Sequence, residues 1–272
     1  MFEQLDPTLT NDLMNPLQTG DFVELPFYAP YLWVLNGKAN LKNPQDKINV
    51  PYFGGFAVSK DDFELAVTEY GNPGNFTFYT MVNQEGKEYE SYAVRALPIA
   101  PIVTRERWVE GRGHVQILAV AAMRAEDGHF AYWAPVVLTA KSYTAKFLRD
   151  SLKEWESFTA KARREFAPGY PANLFYSPVG TFGTERKQQM VGKGSQSPIT
   201  PISLYKGKDG QCTQEMLQAN FVGMDVVHLM KSLKEQAREW VDDWKKPAKT
   251  EPTTQPEFSD DFGTPPVEDM PF

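Results

Sequence analysis

Three groups of cations and aromatic rings in this chain have the types and spacing to hold a polyanion that carries flat, stackable bases. The first is Arg105-Glu106-Arg107-Trp108 with Arg112, where an indole stands among guanidinium groups. In the second, Lys146, Arg149, Lys153, Lys161 and Arg164 fall close to one face of a periodic segment that also carries Glu154, Glu156 and Glu165. The third runs through Phe175, Tyr176, Phe182, Arg186, Lys187, Lys193, Tyr205 and Lys206, with glycines between them that permit close backbone approach. Single-strand binding without sequence preference requires this chemistry, cations that follow phosphates and rings on which bases stack. Each group also has an ordinary structural reading. The first can be cation–π packing inside the protein, the second a solvated helix face with ion pairs, and the third a surface loop.

Catalytic chemistry has less to work with. His114, His129 and His228 lie far apart without metal-ligand spacing, and Cys212 is the single cysteine, which excludes an internal disulfide and a cysteine-cluster zinc site. Gly192-Lys193-Gly194-Ser195 lacks the spacing of a phosphate-binding P-loop, and Ser195 has no nucleophile-elbow context. The pairs Asp61-Asp62 and Asp242-Asp243 are adjacent rather than convergent. The sequence therefore predicts no catalytic residue, no metal and no cofactor. A nucleic-acid hydrolase would need carboxylates assembled from distant segments.

The elements that must position these residues are mainly strands between Asp21 and Thr139. Phe22–Leu25, Tyr31–Leu35, Phe76–Val82 and Tyr89–Leu97 are β-branched or aromatic runs bounded by Gly, Pro or Asn. The clearest hairpin joins Val115–Val120 to Phe130–Trp133 around Glu126-Asp127-Gly128. A short helix interrupts the strands, with capping-box spacing at Ser59 and Asp62 and one face made of Phe63, Ala66, Val67 and Tyr70. Longer helices follow. Over Tyr143–Phe166 the apolar stripe is Leu148, Leu152, Trp155, Thr159, Ala162 and Phe166. The next is expected to start at an Asp225 N-cap and to carry Val226, Met230, Leu233, Ala237, Trp240 and Trp244 on one face. Pro168–Asn220 shows little regular pattern. The expected fold is mainly β with appended helices (α+β), an OB-like Greek-key barrel at about 21–140 within a body of 1–246 that adds helices and loops at 141–246. Other barrels and α+β sandwiches would read the same way.

Composition divides the chain again after Lys246. From Pro247 to Phe272 six acids face one lysine, so five of the seven net negative charges lie there and the body is almost neutral. That stretch, rich in Pro, Thr, Glu and Asp, cannot bury enough apolar area to offset its ordering entropy and is expected to be a disordered acidic tail. It finishes on Glu268-Asp269-Met270-Pro271-Phe272, where a ring and a chain-end carboxylate in one residue suit a shallow apolar pocket rimmed by Arg or Lys.

This ending resembles the acidic tip of bacterial and phage single-stranded-DNA-binding proteins, with Met270 where Ile is usual. The resemblance covers about six residues and implies a body that covers exposed strand in replication, recombination or repair. It also implies that Glu268, Asp269, Met270, Pro271 and Phe272 dock replication and repair proteins. The body carries no recognised family motif and is longer than a minimal OB domain, which fits a phage or plasmid origin. The rival reading is an accessory protein that does not bind DNA and docks only through its tail. Self-association as a homo-oligomer stays open. Met1–Asp6 lacks the start of a signal peptide and no long apolar run exists, so a cytoplasmic protein with no membrane partner is expected.

Overall fold

The β-branched and aromatic runs do form strands, and around the predicted hairpin those strands are far longer than local pattern suggests. The computed structural model describes residues 23–35, 39–42, 49–52, 54–82, 88–109, 112–125, 128–182, 189–191, 197–207 and 210–245. Its strands are β1 (Tyr31–Val34), β2 (Ala39–Lys42), β3 (Asn49–Tyr52), β4 (Phe56–Ser59), β5 (Thr77–Val82), β6 (Glu88–Val94), β7 (Ala96–Val109), β8 (Arg112–Arg124) and β9 (Phe130–Lys141). Four short ones follow: β10 (Ser177–Gly180), β11 (Gln189–Val191), β12 (Ser197–Ile199) and β13 (Ser203–Leu204). The helices are α1 (Lys60–Tyr70), α2 (Ser142–Phe166), α3 (Gln214–Asn220), α4 (Met224–Gln236) and α5 (Arg238–Asp243). The fold is mainly β with appended helices. Among the described residues, no helix is long and apolar enough to cross a membrane.

Eleven strands form one sheet in the order β13-β10-β7-β8-β9-β1-β4-β6-β5-β2-β3. β6 and β7 are a single run bent at Arg95, and this bend turns the sheet back on itself. β6 pairs antiparallel with β4, while β7 pairs with β8 and β8 with β9. β9 lies parallel to β1, and β1 pairs antiparallel with β4. Pairing thus returns to the strand on which it began. One core cluster draws on every strand of this circuit: Leu32 and Val34, Phe56 and Val58, Val94, Leu97 and Ile99, Val115 and Ile117, Val136 and Leu138. These residues line its inner face. β8 is buried on the other face too, because Leu118, Val120 and Ala122 pack with Met230, Leu233, Ala237 and Trp240 of the α4–α5 segment. A strand covered on both sides reads as a continuous apolar run, as Ile117–Ala122 does.

Helix α1 closes part of the inner core. Ser59 Oγ accepts from the Asp62 N–H at 3.2 Å and donates to its carboxylate at 2.9 Å, which fixes the helix start as the sequence predicts. Phe63 stacks on Tyr92 with ring centroids 4.0 Å apart and meets Trp133 at 6.4 Å. Trp133 Nε1 donates to the Gly71 carbonyl at 2.9 Å, joining β9 to the end of α1.

Three expectations need correction. Val23–Leu25 is not a strand; its side chains pack on the outer cluster while its backbone joins no ladder. Gly223, at φ +84°, occupies the N-cap of α4, and Asp225 falls in the first turn, where its charge still complements the helix dipole. The expected last helix breaks at Ala237, although Met230, Leu233, Ala237 and Trp240 stay buried through the break. Residues 247–272, the expected tail, lie outside the described residues.

The bend at Arg95 leaves no room for side chains on its neighbours. A Cβ added to Gly55, at φ +84°, would stand 2.3 Å from the Val94 carbonyl oxygen, and one added to Gly180 would stand 2.3 Å from that of Arg95. Both contacts are with backbone, so the bend itself would have to move. Gly180→Ala is therefore expected to destabilise the fold by about 1–3 kcal/mol, read as a lower urea midpoint with an unchanged slope. Gly210→Ala, which meets nothing within 4 Å but sits at φ +62°, should cost less.

Candidate nucleic-acid interface

The β7–β8 hairpin carries alternate residues to opposite faces, and this alternation separates the first sequence-predicted group. Arg105 pairs in register with Gln116, Arg107 with His114 and Trp108 with Gly113. Arg105 and Arg107 face outward with the α4–α5 segment, whereas Glu106 and Trp108 share the inner parity. Successive outward residues on a strand are about 6.6–6.8 Å apart, and residues four apart on a helix rise about 6 Å. Trp240 and Trp244 therefore match the spacing of the two arginines. The Arg105 guanidinium lies 3.8 Å from the Trp240 ring centroid and 4.4 Å from Trp244, and Arg107 lies 4.6 Å from Trp244. The four side chains form a ladder in which indoles and guanidinium groups alternate.

Arg105 is accordingly held by cation–π packing along most of its length, apart from Trp108, with which the sequence grouped it for base stacking. It is 6% exposed, donates from Nε to Gln116 Oε1 at 2.8 Å and from Nη1 to the Trp240 carbonyl at 2.7 Å. Gln116 in turn donates to Thr139 Oγ1 at 3.4 Å. Burial pushes the Arg105 pKa down to about 10, so it remains charged at neutral pH.

Trp108 has the opposite fate. Its parity points to the inner core, but the hairpin has already run beyond that core and the ring is 80% exposed. Gly113 stands opposite it, where an added Cβ would only reach ordinary van der Waals contact with the indole at 3.8 Å. On the same side, Glu106 accepts from Arg149 of α2 at 2.8 Å, which holds a guanidinium at the strand position two residues before Trp108. Arg112 lies in β8 opposite Val109.

The α2 cations follow both readings. Lys146 is paired with Asp150 and Arg149 with Glu106, while Lys153 is exposed with no ion pair among the described residues. Exposed pairs of this kind contribute little to stability, so phosphates can compete for these cations. Lys206 reaches Glu154 of the same helix.

The third group is divided by burial. Phe175 is 3% exposed among Tyr170 and Phe221, and Tyr176 is fully buried against Phe130. Neither presents a face to a base; both are corrected to core residues. Phe182 and Tyr205 do come together, with centroids 5.4 Å apart and Tyr205 45% exposed. Arg186, Lys187, Lys193 and the tip residues Glu268, Asp269, Met270, Pro271 and Phe272 lie outside the described residues.

Sequence reasoning missed a cleft of about 650 Å³ on the outer face, between the 23–31 segment and Trp244. Arg105, Arg107 and Gln116 line it with Phe27, Tyr28, Tyr31, Glu24 and Asp62. Burial raises the Asp62 carboxyl pKa while the Ser59 hydroxyl draws it down. The available signal was the match between arginines two apart on a strand and tryptophans four apart on a helix. Among the described residues, no three His, Cys, Asp or Glu side chains gather as a metal site. Compared with protein-family models, curated proteins and solved structures, the chain matches none.

The two tryptophan environments predict opposite consequences of truncation. Trp240→Ala should cost about 3–5 kcal/mol of stability, since its ring is fully buried against Arg105. Trp108→Ala should stay within about 0.5 kcal/mol. Urea unfolding of the two variants beside the parent checks this ordering.

Proposed function

We propose that this protein binds single-stranded DNA through the hairpin rim around Trp108 and recruits replication, recombination or repair proteins through its acidic C-terminal tip. The observation that carries the reading is Trp108, a four-fifths exposed indole opposite Gly113, with Arg149 held by Glu106 at the next position on the same face of the strand. A large ring in that position contributes nothing to the core, and it is available to stack a base. Lys153 and the Phe182–Tyr205 pair extend the same chemistry along α2. The strand circuit supports an OB-like barrel as the framework, with β1 and β4 preceding the β7–β8–β9 meander in the chain. In this reading the protein acts in the cytoplasm and needs no cofactor.

Titration against labelled poly-dT with duplex competitor tests the reading. Affinity should fall with salt at a slope of about −0.7 per neutralised phosphate, and Trp108→Ala should remove roughly 1–3 kcal/mol of binding if one base is stacked. Equal affinity for duplex, or no binding at low salt, would remove the single-strand assignment.

The tail makes separable predictions. Truncation after Lys246 should raise low-salt affinity, with the difference shrinking as salt screens the attraction. Deleting Phe272 alone should abolish capture of partner proteins while strand affinity is unchanged, because the ring and carboxylate of the docking anchor leave together.

A further inference from the structure

Arg105 turns a donor edge toward the outer cleft. Arg105 commits Nε to Gln116 and Nη1 to the Trp240 carbonyl, yet its Nη2 has no acceptor among the described residues. Arg105 as a whole is 6% exposed, and it lines the cleft. That donor edge opens on the cleft, where a ligand that brings an acceptor can take the place of water. Tyr28, Tyr31, Phe27 and Trp244 supply rings on the surrounding walls, and Tyr31 is 38% exposed. Glu24 and Asp62 place carboxyl groups in the same space, which disfavours a phosphate. The chemistry that fits is planar, uncharged and two-sided, with acceptors for the arginine and donors for the carboxylates. A volume of about 650 Å³ is ample for such a group.

We propose that this cleft seats one unstacked nucleobase of the bound strand, its acceptor edge on Arg105 Nη2 and its face against Tyr31, whose ring is free of the ladder that occupies Trp244. The proposal rests on the strand-binding reading and adds a second base site on the outer face of the hairpin, opposite Trp108. Arg105 is held in place by the tryptophan ladder and by Gln116, so the donor edge is fixed before the base arrives. Such preorganisation lowers the entropic cost of binding.

The test is photocrosslinking of the full chain to a dT strand carrying 5-iodouracil at successive positions, followed by peptide mapping, with poly-dT affinity measured in parallel. A crosslink at Tyr31 is expected, and Tyr31→Ala should abolish it and weaken binding by about fivefold or more. Arg105→Lys, which keeps the charge and loses the fork, should weaken binding while circular dichroism and the urea midpoint report whether the ladder survives. Excess free dTMP should leave the crosslinks in place if the site belongs to the strand; loss of crosslinks to dTMP with unchanged strand affinity would overturn the strand assignment in favour of a free-nucleotide site. Strand binding with crosslinks confined to Trp108, Phe182 or Tyr205 would overturn the cleft and leave the function standing. Absence of all strand binding would overturn both.

Discussion

Burial of the β7–β8–β9 meander on both faces is the constraint from which the rest of the molecule follows. Ile117, Ala119 and Ala121 face the inner cluster, and Leu118, Val120 and Ala122 face the α4–α5 segment. Neither face can be left to water, because each contiguous apolar row costs free energy in proportion to its exposed area. The inner face is satisfied by curling the sheet through the Arg95 bend until β6 meets β4. The outer face cannot be satisfied by the same sheet, so the C-terminal helices are recruited across a long stretch of sequence to cover it.

That division leaves the hairpin end as the place where cover runs out. The apolar rows stop near Val115, while the strands continue to Val109 and Arg112. Beyond this point alternation still operates but has no core to fill. Inward parity yields an exposed Trp108, and outward parity yields arginines that find indoles instead of aliphatic neighbours. The cation–π ladder solves the burial of Arg105 without a carboxylate within ion-pair distance among the described residues, since the indole faces and the Trp240 carbonyl replace its water. It also ties Trp244, next to the last described residue, to the hairpin.

What could be read from local pattern follows a physical boundary. The α1 cap at Ser59, the long amphipathic α2 and the β8–β9 hairpin were legible because each depends on residues within a few positions of one another. The Asp225 cap was misread because a glycine at positive φ and a good capping side chain compete at adjacent positions, and sequence alone does not rank them. Phe175 and Tyr176 looked like stacking rings because an interleaved aromatic and basic segment has the same composition whether its rings point inward or outward.

The sequence by itself determined the mainly β class, the helical stripes, the break in composition after Lys246 and the chemistry of the Pro-Phe tip, all of which rest on periodicity or local composition. Only the tertiary structure decided that Arg105 is sandwiched while Trp108 is bare, that Trp244 completes a ladder, and that Tyr31 and Asp62 share a cleft with both arginines. Those outcomes depend on strand pairing and helix docking between separate elements, 135 positions apart in the case of Arg105 and Trp240. A chain records such contacts only as separate spacings on separate elements, and nothing local says which spacing will meet which.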